Sequence, residues 1–227
     1  MDRLKSALQA VRARIATAAR AAGRAPDTVE LLAVSKTFGV DAIRAAAVAG
    51  QQAFGESYVQ EALVKIAALT DLSLTWHFIG PLQRNKTRVI AEHFDWVHSV
   101  DRAIIAQRLN NARPVMLPPL NVCLQVNISG EASKSGVSPA DLPALVEAVA
   151  QLPRLKLRGL MAIPAPSANV DQQHAQFRLL RQLRDRLDVP LDTLSMGMSD
   201  DLEAAIAEGA TLVRVGSAIF GGRHLNT

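Results

Sequence analysis

Hydrophobic and polar positions along the chain fall into two alternating patterns. Short β-rich apolar runs occur at Val29 to Lys36, Gln52 to Glu56, Leu74 to Gly80, Trp96 to Val100, Val122 to Asn127, Leu157 to Ile163, Thr193 to Met198 and Leu212 to Phe220. Between them lie segments with helical periodicity: Val40 to Ala49, Tyr58 to Leu69, Arg84 to Phe94, Arg102 to Asn111, Pro139 to Leu152, Val170 to Leu187 and Asp200 to Glu208. Strands alternating with helices of this length predict βαβ units and parallel pairing. Eight such strands predict an α/β fold of the (β/α)8 TIM-barrel type. A doubly wound open sheet is the competing architecture, and the count favours the barrel.

The pattern is short of one helix, since only "GGRHLNT" follows the last run. A further helix precedes the first strand: Leu4, Leu8, Val11 and Ile15 recur at helical spacing up to the stop signal Gly23. This extra N-terminal helix is expected to fill the gap beside strands one and eight. The same stretch is Arg-rich and poor in acids, as transit peptides are; its run straight into the first strand favours a surface helix. The proline-rich "ARPVMLPPL", Ala112 to Leu120, forbids helix and reads as an extended connection inside one domain spanning 1–227.

Composition narrows the function classes. The 227 residues are 49% hydrophobic, which excludes a disordered chain. The net charge of +4 is dispersed, without the basic stripe or aromatic platform of a nucleic-acid binder. A single cysteine, Cys123, precludes an internal disulfide framework and fits a reducing, cytoplasmic setting. No apolar run approaches the roughly 20 residues of a membrane span. The histidines His93, His98, His174 and His224 show no metal-ligand spacing.

Candidate chemistry gathers at the strand ends, where barrel active sites are built. Alternation puts Leu32, Val34 and Lys36 on one face of the first strand. If that face points inward, desolvation lowers the lysine pKa, and a neutral amine can attack an aldehyde to form a Schiff base. The bland alternative is a solvated lysine at a loop entrance. In "SMGMSDDLEAAIAEG", Ser195 to Gly209, a strand ends in Gly and Ser and a helix is expected at once, with Ser199 as N-cap. That terminus suits a phosphate, although Asp200 and Asp201 oppose one unless turned away. In "LVRVGSAIFGG", Gly216 and Ser217 let backbone approach an anion, and Arg214 shares their strand. Arg214 needs a partner, either a core acid or a ligand.

An aldehyde carrying a phosphate and a ring nitrogen would use all three features, and pyridoxal 5'-phosphate (PLP) is such a molecule. Arg214 opposite the pyridine nitrogen only donates hydrogen bonds and keeps that nitrogen unprotonated, which weakens the ring as an electron sink. His77, between Trp76 and Phe78, reads more readily as a satisfied core residue than as a catalyst. Gln125 and Asn127 share a face that could reach the barrel mouth, and Lys134 reads as a solvated residue in a loop near it.

"LLAVSKTF", "FGESYVQEA", "WHFIGPLQRNK", "GLMAI", "LSMGMSDDLEAAI" and "RVGSAIFG" together resemble the YggS/PROSC family of PLP-binding, or PLP homeostasis, proteins. The resemblance implies the barrel half of alanine racemase, a fold-type III PLP enzyme, standing alone. It implies that Lys36 forms an aldimine with PLP, that Ser199, Gly216 and Ser217 hold the phosphate with backbone from Met198, and that Arg214 faces the pyridine nitrogen. Ser57 stands where the family usually has asparagine, and Ser217 where relatives often have threonine. The implied role is PLP homeostasis, with delivery to apo-enzymes and no catalytic turnover; a lone barrel without the racemase β-domain is expected to be a monomer, and charge and apolar runs point to no nucleic-acid or membrane partner. A weak amino-acid racemase is the alternative; it would need two positioned bases, and only Lys36 can be named.

Overall fold

The computed structural model describes residues 2–131 and 135–222. Its centre is a closed parallel barrel in which eight strands pair in sequence order, β1 closing on β8. The strands are β1 (Glu30–Val34), β2 (Ala53–Glu56), β3 (Thr75–Phe78), β4 (Trp96–Val100), β5 (Leu120–Gln125), β6 (Leu155–Met161), β7 (Thr193–Ser195) and β8 (Leu212–Val215). Helices α1 (Asp2–Ala21), α2 (Val40–Val48), α3 (Val59–Ala68), α4 (Thr87–His93), α5 (Ala103–Ala112), α6 (Leu142–Ala150), α7 (Val170–Asp185), α8 (Leu202–Ala207) and α9 (Ser217–Phe220) surround it. The barrel expected from the alternating pattern is therefore the one observed.

Inward and outward faces of the strands are chemically distinct. Leu31, Ala33 and Phe54 join the large core between barrel and helices. Leu32 packs instead with Ala53 and Leu212 in a small separate cluster inside the barrel. Period-two alternation carries Val34 inward as well, and Lys36 follows in the turn after the strand. Register Leu32↔Arg214 and Ala33↔Val215 sets the carboxyl end of β1 beside that of β8.

The N-terminal helix closes the ring as expected. Leu8, Val11, Ile15 and Ala19 of α1 are buried, and the helix packs against α8 and α9. Arg14 on α1 donates to the carbonyl of Ser199 (2.9 Å) and forms a two-pronged pair with Glu203 of α8. This ties the helix to the loop after β7.

Two boundaries differ from the sequence expectation. The run Leu212 to Phe220 is not one strand: β8 stops at Val215, and Ser217–Phe220 turn into the short helix α9. Apolar residues 218–220 pack under α1 there, so an apolar run alone could not tell strand from buried helix. The helix after β7 starts at Leu202 rather than at Asp200. By contrast, Asn169 caps α7 as the side-chain chemistry demands, its oxygen accepting from the Gln172 amide at 3.2 Å. Asn169→Ala is expected to cost about 1 kcal/mol, read as a lower urea midpoint at unchanged slope.

Candidate functional site

At the carboxyl ends of the strands lies a cavity of about 340 Å³. Lys36, Met198, Ser199, Arg214, Gly216 and Ser217 all line it, together with Val34, Thr37, Phe38, Ser57, Ile79, Ile163, Asp200 and Gly221. The six residues expected to hold the cofactor thus meet at one place, drawn from the turn after β1, the loop after β7, and β8 with its following turn. Phe38 and Phe220 stack at 5.0 Å between ring centroids beside the mouth. Ser57 places a hydroxyl-bearing side chain on the wall.

The β7 and β8 ends supply small and polar groups. Ser217 Oγ donates to Ser199 Oγ at 3.1 Å, so the two hydroxyls form a pair on the cavity surface. Ser199 is not the N-cap that its position suggests. Asp201 occupies that place, and its carboxylate accepts from the Met198 amide at 2.6 Å. Asp201 is thereby turned away, while Asp200 stays on the cavity wall. The turn depends on Gly197, whose φ of 92° lies in the left-handed region and whose added Cβ would sit 2.5 Å from that of Ala205.

Arg214 forms the inner polar group. It is 3% exposed, and its hydrogen bonds go to Ser195 Oγ (2.8 Å) and to the Ala162 carbonyl (2.9 Å). Neither acceptor is an acid, so the alternative of a structural ion pair with a core carboxylate is not what the fold contains. Burial pulls the guanidinium pKa down to about 10, against a raising influence from Asp201. A buried cation with neutral partners retains an electrostatic demand for an acceptor in the cavity.

Behind Arg214 runs a buried chain that the sequence reading missed. His98 Nδ1 lies 2.8 Å from Ser195 Oγ, and His98 Nε2 lies 2.9 Å from His77 Nδ1. Ser195 Oγ accepts from Arg214, which leaves its O–H to donate to His98 Nδ1. His98 then carries its proton on Nε2 and donates to His77. His77 in turn is protonated on its own Nε2, which is buried without a hydrogen-bond partner among the described residues. The opposite polarity would strand the Ser195 hydroxyl proton as well, so the first is favoured. Burial lowers the pKa of His77 to about 3 and that of His98 well below the ordinary histidine value. Both imidazoles are neutral, and His77 is a core residue, though not a fully satisfied one. The signal available in the sequence was that His77, His98, Ser195 and Arg214 are polar residues inside apolar strands.

Other candidates have structural duties. Gln125 Nε2 donates to the Ser135 carbonyl (3.2 Å) and Asn127 Nδ2 to that of Glu131 (2.8 Å), tying down the loop after β5. Lys134 and His224 lie outside the described residues. Among the described residues there is no cluster of three or more acids, histidines or cysteines able to hold a metal, and no helix long and apolar enough to cross a membrane.

Comparison with known proteins gives this cavity a context. The family described as "Alanine racemase, N-terminal domain" matches residues 6–224. The pyridoxal phosphate homeostasis protein of Pseudomonas aeruginosa is 66% identical over 223 residues, covering 98% of this chain and 97% of its own length. The chain belongs to the pyridoxal phosphate homeostasis protein family. The Escherichia coli K12 member is 54% identical over 233 residues, again covering 98% of both chains. PipY of Synechococcus elongatus, solved with PLP bound, superposes with a TM-score of 0.85 at 41% identity, over 96% of this chain and 100% of its own. Alanine racemase of Clostridium difficile shares the fold alone: TM-score 0.75 at 14% identity, over 100% of this chain and 58% of the enzyme.

Proposed function

We propose that this protein binds PLP in the cavity at the barrel mouth and holds it covalently through Lys36, keeping the reactive aldehyde sequestered and releasing it to apo-enzymes. When bound, PLP supplies an aldehyde that condenses with an amine and loses water. The observation that carries the reading is Arg214: a buried cation, hydrogen-bonded to a hydroxyl and a carbonyl, lining a cavity that also holds an amine and a pair of serine hydroxyls.

Each residue's part follows from its chemistry. Lys36 brings the nucleophilic amine from the turn after β1. Ser199 and Ser217 offer hydroxyls to the phosphate, and Gly216 lets the chain after β8 pass close to β1, since a Cβ there would approach the Val34 carbonyl at 3.2 Å. Because the Met198 amide already donates to Asp201, Met198 contributes its exposed side chain and the turn it belongs to. Arg214 directs an N–H at the ring nitrogen and, being a donor only, excludes a proton there. The neutral Ser195–His98–His77 chain behind it supplies no competing carboxylate. A ring so held is a poor electron sink, which suits storage better than turnover.

The reading is tested by transfer. Protein loaded with PLP and freed of excess should restore activity to an apo-aminotransferase kept behind a trapping enzyme that destroys free PLP. Reactivation no faster than that given by the trapped solution alone would contradict delivery. Steady racemisation of L-alanine or L-serine by the loaded protein would instead favour the racemase reading.

A further inference from the structure

Thr37, directly after Lys36, has φ of 72°, the left-handed region, and is the non-glycine residue found there among the described residues. A β-branched side chain makes that conformation strained, so something must hold it. The holder is an ion triad on the outer side of the barrel. Lys65 of α3, 3% exposed, pairs with Glu56 Oε1 at 2.7 Å and with Glu61. The same ammonium donates to the Ser35 carbonyl at 2.9 Å, just before Lys36. Glu61 Oε1 accepts from the Thr37 amide at 2.7 Å, just after it. Glu56 Oε1 also accepts from Ser35 Oγ at 2.6 Å.

We propose that Lys65, Glu56 and Glu61 are positioning residues that clamp the turn on both sides of Lys36, so that its neighbours are tied outward to α3 while its own side chain enters the cavity. This rests on the cavity reading above for its purpose, but not for its geometry. A buried lysine and a fully buried glutamate are costly to desolvate, and an apolar pair of similar volume would stabilise the sheet–helix contact at least as well. What an apolar pair cannot do is grip one carbonyl and one amide two residues apart. The clamp therefore serves the presentation of the amine. It predicts that covalent attachment depends on α3 although no side chain of that helix lines the cavity.

Glu61 is partly exposed, and Glu61→Ala leaves Lys65 paired with Glu56, so this variant tests the clamp without emptying the core. Two ligands separate positioning from general damage: PLP, and 4'-deoxypyridoxine 5'-phosphate, which keeps the ring and phosphate and lacks the aldehyde. Glu61→Ala should bind PLP about tenfold more weakly and the aldehyde-free analogue within about twofold of the parent, the loss of one charge-assisted hydrogen bond. Adding Thr37→Gly, which removes the strain, should restore most of the PLP affinity. In the ligand-free protein, exchange of the Thr37 amide should accelerate by about tenfold or more in Glu61→Ala. Unchanged PLP affinity, equal loss for both ligands, no recovery with Thr37→Gly, or unchanged Thr37 exchange would each overturn the clamp. If the parent binds neither ligand, the cavity reading falls, and the exchange measurement still judges the clamp.

Discussion

Below pH 6.5 the protein is expected to lose stability at about 1.4 kcal/mol per pH unit for each of His77 and His98. Both imidazoles are fully buried in the barrel and take part in one hydrogen-bonded chain. Burial lowers both; His98 is lowered further by the proximity of His77 and of Arg214. Each pKa is thus lower in the folded than in the unfolded chain. As pH falls through 6.5, the unfolded chain takes up protons that the folded barrel refuses, so the equilibrium shifts toward unfolding. Glu56 acts in the opposite sense: burial raises its pKa despite the hydrogen bonds from Lys65 and Ser35, so it takes up its proton more readily when folded. Its contribution offsets part of the loss at the acid end. Urea midpoints at pH 7.5, 6.5 and 5.5 should fall slightly over the first interval and more steeply over the second in the parent, and about half as steeply in His77→Gln. A flat profile, or an unchanged slope in the variant, would show that these histidines are not held neutral.

Arg214→Met is expected to weaken PLP retention by about ten- to a hundredfold and to shift the absorption of the bound cofactor. A charge-assisted hydrogen bond contributes about 1.5–3 kcal/mol, which sets that range. Methionine fills similar space without a donor, so the ring nitrogen loses its partner and becomes free to take a proton. The barrel should survive the change, because the variant also removes a buried cation whose partners are neutral. Arg214→Lys should recover little: one ammonium cannot reproduce the fork that reaches Ser195 and the Ala162 carbonyl together. Equal affinity and an identical spectrum in Arg214→Met would place the ring elsewhere.

Much of the site was legible in the chain because it sits on short-range signals. Lys36 ends an apolar run, Arg214, Gly216 and Ser217 interrupt another, and the rule that barrel sites form at the carboxyl ends of the strands gathered them in one expectation. The N-terminal helix was legible from its apolar spacing and from the missing eighth helix. What escaped depends on long-range phase. His98 meets Ser195 across 97 residues, so each stands out as a polar residue in an apolar strand without naming its partner. Lys65 reads as a surface position in a helix until β2 brings Glu56 beneath it. Ser199 looked like a cap because cap preference is local, whereas the choice of Asp201 depends on how the Gly197 turn swings the chain. The end of β8 was misjudged because apolar α9 residues are buried under α1, which no local pattern reveals.

Which amine holds the cofactor decides the proposed function. Protein loaded with PLP should be reduced with borohydride, digested and mapped by mass spectrometry. The predicted result is a stoichiometric phosphopyridoxyl adduct on the peptide containing Lys36. An adduct centred on any other lysine, or none at all in protein that remains folded, would contradict it.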